Sequence, residues 1–405
     1  MLTLKEKIAP EALDDIYEIL IKDHAELYYK AFTDDEAKMA LGILLEKLFP
    51  KVLDTEGKVQ HVVRELVGMG LIEEIRSDEG VTDIGFDGNR LWIQGNGFEK
   101  YSVPFEIEDA DKVVSKFSSS TRKELTAKKP ILNTSLNRMR LNAVHKNVAR
   151  DGMTFAIRIS RPGMALNEEN FGVFAPLYML DFIKAVAQTR SNITISGDTG
   201  TGKTEFQKLF INYIRPKERI AFIESNKDMY IKETFPERDI FYWVSNEKTT
   251  IEDLISHAAL RSHPVWIMVA EVVGREVYQM MNGILTGHKI ATTLHSVDAR
   301  AQPYRMLGMA KEGYNIDEKM FLDNFYRYVD WGFHIEKTEV EDGKEIRYLN
   351  EVVAFNSDHS ATTVFKQEFV GDGFEIETGA LPANFTKKLK KFRVDYEGLE
   401  FRKEG

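Results

Sequence analysis

The run Gly197-Asp198-Thr199-Gly200-Thr201-Gly202-Lys203-Thr204 has the most specific chemistry in the chain. It follows a β-branched stretch, Ile193-Thr194-Ile195, and precedes a helical one, Glu205 to Tyr213. The pattern G-x-x-x-x-G-K-[ST] turns backbone N–H groups inward around an anion, because its glycines accept the tight wrap, and the helix that follows adds the positive end of its dipole. In that geometry Lys203 reaches the β- and γ-phosphates of a nucleotide and the Thr204 hydroxyl ligates Mg²⁺. ATP and Mg²⁺ are the expected ligands, with Glu205 at the start of the helix among the contacting positions.

Three other apolar runs end on a polar group. Ile220-Ala221-Phe222-Ile223 delivers Glu224, Val265 to Ala270 delivers Glu271, and Ile290-Ala291-Thr292-Thr293-Leu294 delivers His295. Near-continuous apolar runs separated by helical stretches predict an α/β fold, a parallel sheet with helices on both faces. Ligands of such sheets lie beyond the carboxyl ends of the strands. A carboxylate there can orient and deprotonate an attacking water or hold Mg²⁺ through a water, and Glu271 is the first choice for both tasks. Singly, Glu224 and Glu271 read more readily as helix N-caps or ion-pair partners, and His295 as a loop histidine with a satisfied hydrogen bond. Successive strand ends around one phosphate loop favour a site.

The elements that must position these groups fall into four stretches. Residues 1–75 read as a small helical bundle. Its stripes are Leu13, Ile16, Leu20 and Leu27, then a capping box at Thr33-Asp34-Asp35-Glu36 ahead of Met39 to Phe49, then Val59, Val62 and Leu66. Residues 76–160 read as a smaller α/β domain, with a hairpin at Asp87-Gly88-Asn89-Arg90 and a helix near Asp109 to Ser119. Two alternating strands follow, Met139 to Ala143 and Met153 to Ile159, and they present Arg140 and Arg158 on the face opposite the apolar one. These arginines are either solvated or ligands. Residues 161–175 lack periodicity and read as an interdomain linker, and 176–405 form the nucleotide domain with a C-terminal extension.

Composition bounds the rest. The chain has 405 residues, 54 Lys+Arg against 64 Asp+Glu, a formal charge of −10 and no cysteine. Disulfide scaffolds, thiol catalysis and zinc ribbons are excluded. An acidic balance argues against nucleic acid as the primary ligand. The longest apolar runs, Met39 to Leu45 and Val265 to Ala270, fall short of the ~18 residues of a membrane-spanning helix. A cytoplasmic chain is expected, membrane-associated only through partners.

From about Val81 onward the sequence resembles the secretion ATPase superfamily of type II and type IV secretion and related pili, with the Flp/Tad-pilus (CpaF-type) and conjugation-type branches nearest. Phe222-Ile223-Glu224 resembles its acidic box, Pro264 through Glu276 its Walker B segment, and Gly287-His288 through His295-Ser296 its His box. Arg140-Leu141-Asn142-Ala143-Val144 and Gly152 to Arg158 resemble its N-terminal-domain signature. The resemblance implies a RecA-like P-loop NTPase domain preceded by a PAS-like α/β domain. It also implies a homo-oligomeric ring, usually a hexamer, that closes on ATP and works against an inner-membrane platform protein. His288 becomes a catalytic candidate beside Glu271, Glu224 and His295, and Arg140 and Arg158 become phosphate ligands. The absent cysteines argue against the zinc-carrying branches.

The chain departs from the family pattern in three places. Pro264-Val265 stands where Pro-Asp is usual, Ala270-Glu271-Val272-Val273-Gly274 where Gly-Glu-x-Arg-Gly is usual, and no second acid follows Glu224. These departures motivate a first rival reading, a nucleotide-binding ring or scaffold that does not hydrolyse. A second rival, a RecA-type DNA translocase, rests on Arg122-Lys123, Lys128-Lys129 and the basic run 387–393.

Overall fold

The computed structural model describes residues 8–32, 34–95, 98–340, 345–371, 373–396 and 398. The chain divides into two compact units, Met1–Ser160 and Arg161–Gly405.

The first unit begins with helices Pro10–Asp23, Ala25–Lys30, Asp35–Leu48 and Glu56–Leu66, closed around Ile16, Leu20, Leu41, Leu45 and Val62. The third of these starts at Asp34, whose carboxylate accepts from the N–H groups of Glu36 and Ala37 at 2.9 and 3.1 Å. The N-terminal signal is therefore one residue later than the expected capping box, and Thr33 itself lies outside the described residues. A short helix, Leu71–Arg76, then packs Ile72 and Ile75 against a sheet.

That sheet has six antiparallel strands: β1 (Val81–Phe86), β2 (Arg90–Gly95), β3 (Tyr101–Pro104), β4 (Ile131–Leu136), β5 (Met139–Val144) and β6 (Thr154–Ile159), in the order β3-β2-β1-β6-β5-β4. The helix Ile107–Thr121 covers one face through Val113, Val114 and Phe117. The alternation read from the sequence sends Leu141, Ile157 and Ile159 into this core and leaves the arginines on the opposite face.

The second unit is built on nine strands. In chain order they are β7 (Ile193–Gly197), β8 (Ile220–Glu224), β9 (Ile240–Val244), β10 (Trp266–Val269), β11 (Lys289–Leu294), β12 (Trp331–Glu339), β13 (Glu345–Phe355), β14 (Ala361–Val370) and β15 (Gly373–Thr378). Their spatial order is β15-β14-β13-β12-β7-β11-β10-β8-β9. The strands from β12 to β9 run parallel, while β13, β14 and β15 add an antiparallel extension, so the sheet is mixed where a parallel one was expected.

Helices cover both faces. Tyr178–Gln188, Lys203–Tyr213 and Ala383–Phe392 bury Phe182, Phe206, Phe210 and Phe385 on one side. Glu276–Leu285, Gln302–Lys311 and Glu318–Tyr328 bury Met280, Met306 and Phe325 on the other. Among the described residues no helix is long and apolar enough to cross a membrane.

Candidate nucleotide site

The phosphate loop leaves the carboxyl end of β7 at Gly197, where a β-carbon would lie 2.3 Å from the Ile335 carbonyl of β12 and 2.7 Å from Thr201 Oγ1. Only glycine fits there. Gly200 and Gly202 take φ of +80° and +97°, which lets the loop wrap back into its helix. The Lys203 ammonium is buried, donates to the carbonyls of Gly197 and Asp198 at 2.8 Å each, and has its pKa lowered by burial. Glu271 is the largest influence opposing that shift, so a carboxylate stands within electrostatic reach of the lysine. Thr204 is exposed in the first turn of the helix.

The floor beneath the loop is a buried polar network. Gln302 Nε2 donates to Ser196 Oγ at 2.6 Å, Thr194 Oγ1 donates to Gln302 Oε1 at 2.6 Å, and His334 Nδ1 lies 2.9 Å from Ser196 Oγ. Burial lowers the His334 pKa, which keeps the ring neutral beside the loop. Gln207 reaches back from the helix to the carbonyls of Val269 and Ala291 at 3.0 and 2.8 Å, tying β10 and β11 to the phosphate-binding helix. Gln207, Gln302 and His334 carry no motif. Gln207 and His334 lie inside their elements and Gln302 opens its helix, and the role of each appears only once the strands are side by side.

Glu271 and His295 meet at the ends of β10 and β11, with His295 Nε2 2.9 Å from Glu271 Oε1 and both side chains a little under half exposed. Their backbones are zipped together, since Val272 N donates to Thr293 O at 2.9 Å and Thr293 Oγ1 donates to Ala270 O at 2.6 Å. Past the pair, the Glu276 carboxylate accepts from the N–H groups of Val273 and Gly274 at 2.7 and 3.0 Å. Arg275 points to Glu252 at 2.7 Å.

Other expected residues are placed differently. Glu224 is buried and faces its own turn: it accepts from the N–H groups of Asp228 and Met229 at 3.0 and 3.2 Å and from the Tyr242 hydroxyl. Burial pushes its pKa up to about 7. His288 lies before the start of β11, with Nδ1 2.8 Å from Pro264 O, at the amino ends of the strands. The six residues of β11 put roughly 20 Å between it and His295, so the structure does not bring His288 to the phosphate loop. Glu205 accepts from Ala165 N at 2.6 Å and pairs with Lys208 at 2.8 Å, while Lys208 donates to Gly163 O at 3.0 Å. The stretch expected to be a linker is thus fastened, over residues 163–165, to the helix that follows the phosphate loop.

On the first unit, Arg140 and Arg158 stand directly opposite each other across β5 and β6. Like charges in that register repel unless an anion intervenes, and Asp83 supplies one, 3.0 Å from Arg158 Nε. A cleft of about 350 Å³ opens on this face, lined by Asp83, Trp92, Lys100, Arg140, Asn142 and Arg158.

Mg²⁺ has no protein cage here: among the described residues no three His, Asp or Glu side chains gather to hold a metal. One hydroxyl, one nearby carboxylate and substrate phosphates are what this hard cation ordinarily uses, and Thr204 and Glu271 fit that donor set.

Comparison with known proteins sharpens this picture. Residues 131–323 match the family described as "Type II/IV secretion system protein". An uncharacterized protein of Bacillus anthracis is 36% identical over 410 residues, covering 96% of this chain and 92% of that one. The chain belongs to the type II/IV secretion system ATPase superfamily. A Mycobacterium tuberculosis relative named for conjugal transfer is 25% identical over 64% of this chain and 78% of its own length. The ATPase DotB of Yersinia pseudotuberculosis shares the fold with a TM-score of 0.55 at 16% identity, covering 73% of this chain and 80% of its own. The pilus retraction motor PilT, solved with bound ADP, shares it at 0.52 and 16%, covering 80% and 86%.

Within this superfamily member the departures in the Walker B-like segment have distinct places. Val265 precedes β10, at the strand's amino end, and its N–H donates to Arg219 O at 2.9 Å, so this substitution stands a strand's length from Glu271. Val273 is 59% exposed on the loop that Glu276 caps. Neither replaces the Glu271 carboxylate or its histidine.

Proposed function

We propose that this chain is a motor ATPase, RecA-like in its nucleotide domain and PAS-like in the smaller sheet, that couples Mg-ATP hydrolysis to pilus assembly or conjugation-type export. The observation that carries the reading is the Glu271–His295 pair at adjoining strand ends, with Glu271 felt electrostatically by the phosphate-loop lysine. Lys203 and the loop N–H groups hold the phosphates. Glu271 accepts a proton from a water aligned with the γ-phosphorus, and His295 orients the carboxylate. Bound Mg²⁺ neutralises charge on the phosphates and would be held by Thr204, with Glu271 acting through water. Glu224 braces the edge of the site through its turn and Tyr242. Arg140 and Arg158 would supply further cations to the phosphates, as the family resemblance implies.

The same reading makes the working form a ring of this chain, a hexamer by family resemblance, on the cytoplasmic side of a membrane platform protein. Steady-state Mg-ATP hydrolysis across protein concentration, with Lys203→Ala alongside, tests it. Specific activity that rises with concentration and vanishes in the variant supports an oligomeric motor. ATP binding without turnover at any concentration favours the non-hydrolysing scaffold.

A further inference from the structure

The phosphate loop has a second neighbour. β7 lies between β11 and β12, and β12 stands on the side away from Glu271 and His295. β12 pairs with β7 as far as Ile335 opposite Gly197, then runs on to Glu339 with β13 beside it. In this overhang Lys337 lies directly opposite Arg347, and Glu339 directly opposite Glu345. A period of two puts all four on one face.

The basic pair is the inner one. Arg347 Nε donates to the Gly200 carbonyl at 2.7 Å. A β-carbon on Gly200 would lie 4.0 Å from the Lys337 ammonium, and one on Gly202 would lie 3.7 Å from Arg347 Cδ. Two cations in opposite cross-strand positions repel. Here Glu345 relieves both, 2.6 Å from Lys337 and 3.6 Å from Arg347, so this carboxylate serves an ammonium and a guanidinium. All three side chains are about one-third exposed, open enough to exchange partners.

We propose that Lys337 and Arg347 are a second phosphate-gripping pair for the nucleotide held by the loop, with Glu345 as the counter-ion they exchange for phosphate oxygens. This rests on the nucleotide reading above and adds to it two ligands that lie outside the stretch matching the family, 131–323. Ammonium and guanidinium donors bind phosphate through charge-assisted hydrogen bonds, and the guanidinium can do so with two parallel N–H groups. Because the pair sits on the flank away from Glu271, it acts on the phosphates a nucleotide keeps after hydrolysis. ATP and ADP should therefore depend on it equally.

Calorimetric titration of the full chain with Mg-ADP, with a non-hydrolysable Mg-ATP analogue and with adenosine decides the matter. Lys337→Ala/Arg347→Ala should bind both nucleotides roughly tenfold more weakly than the parent, with any adenosine binding unchanged. Glu345→Gln should bind them more tightly, because the competing carboxylate is gone. If the double variant folds poorly by thermal melt, Lys337→Gln carries the test with a loss of about threefold. Parent-like affinity in these Lys337 and Arg347 variants, while Lys203→Ala abolishes binding, overturns this proposal alone. A parent chain that binds neither nucleotide overturns the nucleotide reading and this proposal with it.

Discussion

The two flanks of β7 are built on different principles. Toward β11, β10 and β8 the strands are parallel and buried, and each ends on one polar group, so the chemistry stands at strand termini with its backbone zipped in place. Toward β12 and β13 the chain forms an antiparallel pair whose polar residues alternate along the projecting end of the ladder, opposite one another, beside the loop. The first flank places a carboxylate and a histidine where a water would be activated. The second places two cations where charge is held. On the proposed reading the loop receives reactive groups from one side and binding groups from the other.

Gly197 joins the flanks, and changing it should have the largest effect. A β-carbon there meets the Ile335 backbone, which cannot yield without parting β7 from β12. Gly197→Ala should lower stability by about 2–4 kcal/mol and abolish detectable ATP binding, read by denaturant unfolding and by calorimetry. Retained affinity would mean that the flanks are not coupled through this residue.

Glu224 tests whether the far edge of the reactive flank is structural. Its folded pKa, about 7, lies above the ordinary 4.5, so the folded chain holds a proton that the unfolded chain has already released between those values. Stability therefore falls as pH rises through that window. The stability of the parent relative to Glu224→Gln should drop by roughly 3 kcal/mol between pH 4.5 and pH 8. A difference independent of pH would show that Glu224 is solvated and available to a ligand.

The smallest effect is expected at the opposite end of β11. His288→Ala should leave ATP hydrolysis within about twofold of the parent, since only the Pro264 carbonyl loses a partner. A loss of a hundredfold would place His288 in the reaction.

These residues also show what was legible before the fold. The phosphate loop and the apolar runs of β7, β8, β10 and β11 stand out because buried parallel strands are continuous in composition and end abruptly. Alternation alone assigns Arg140 and Arg158 to one face. His288 was misleading because a short distance in sequence spans the whole sheet when the intervening residues are extended. Glu205 directly follows Lys203 and Thr204 in sequence, but its carboxylate accepts from the backbone N–H of Ala165.

β12 is hard to read from the sequence because its pattern changes midway. Trp331 to Ile335 are all buried between β7 and β13, whereas Glu336 to Glu339 alternate like any surface strand. Lys337 and Arg347 therefore look like ordinary solvated residues until pairing sets them over Gly200. Helices as short as Ala25–Lys30 and Leu71–Arg76 have too few turns to show a stripe.

The central claim is that the reactive flank turns over ATP through Glu271. Single-turnover hydrolysis and equilibrium ATP binding, measured side by side on the parent and on Glu271→Gln, test it most directly. The account predicts hydrolysis slowed by about 10²–10⁴-fold with affinity within about twofold. Hydrolysis at the parent's rate in Glu271→Gln would contradict it.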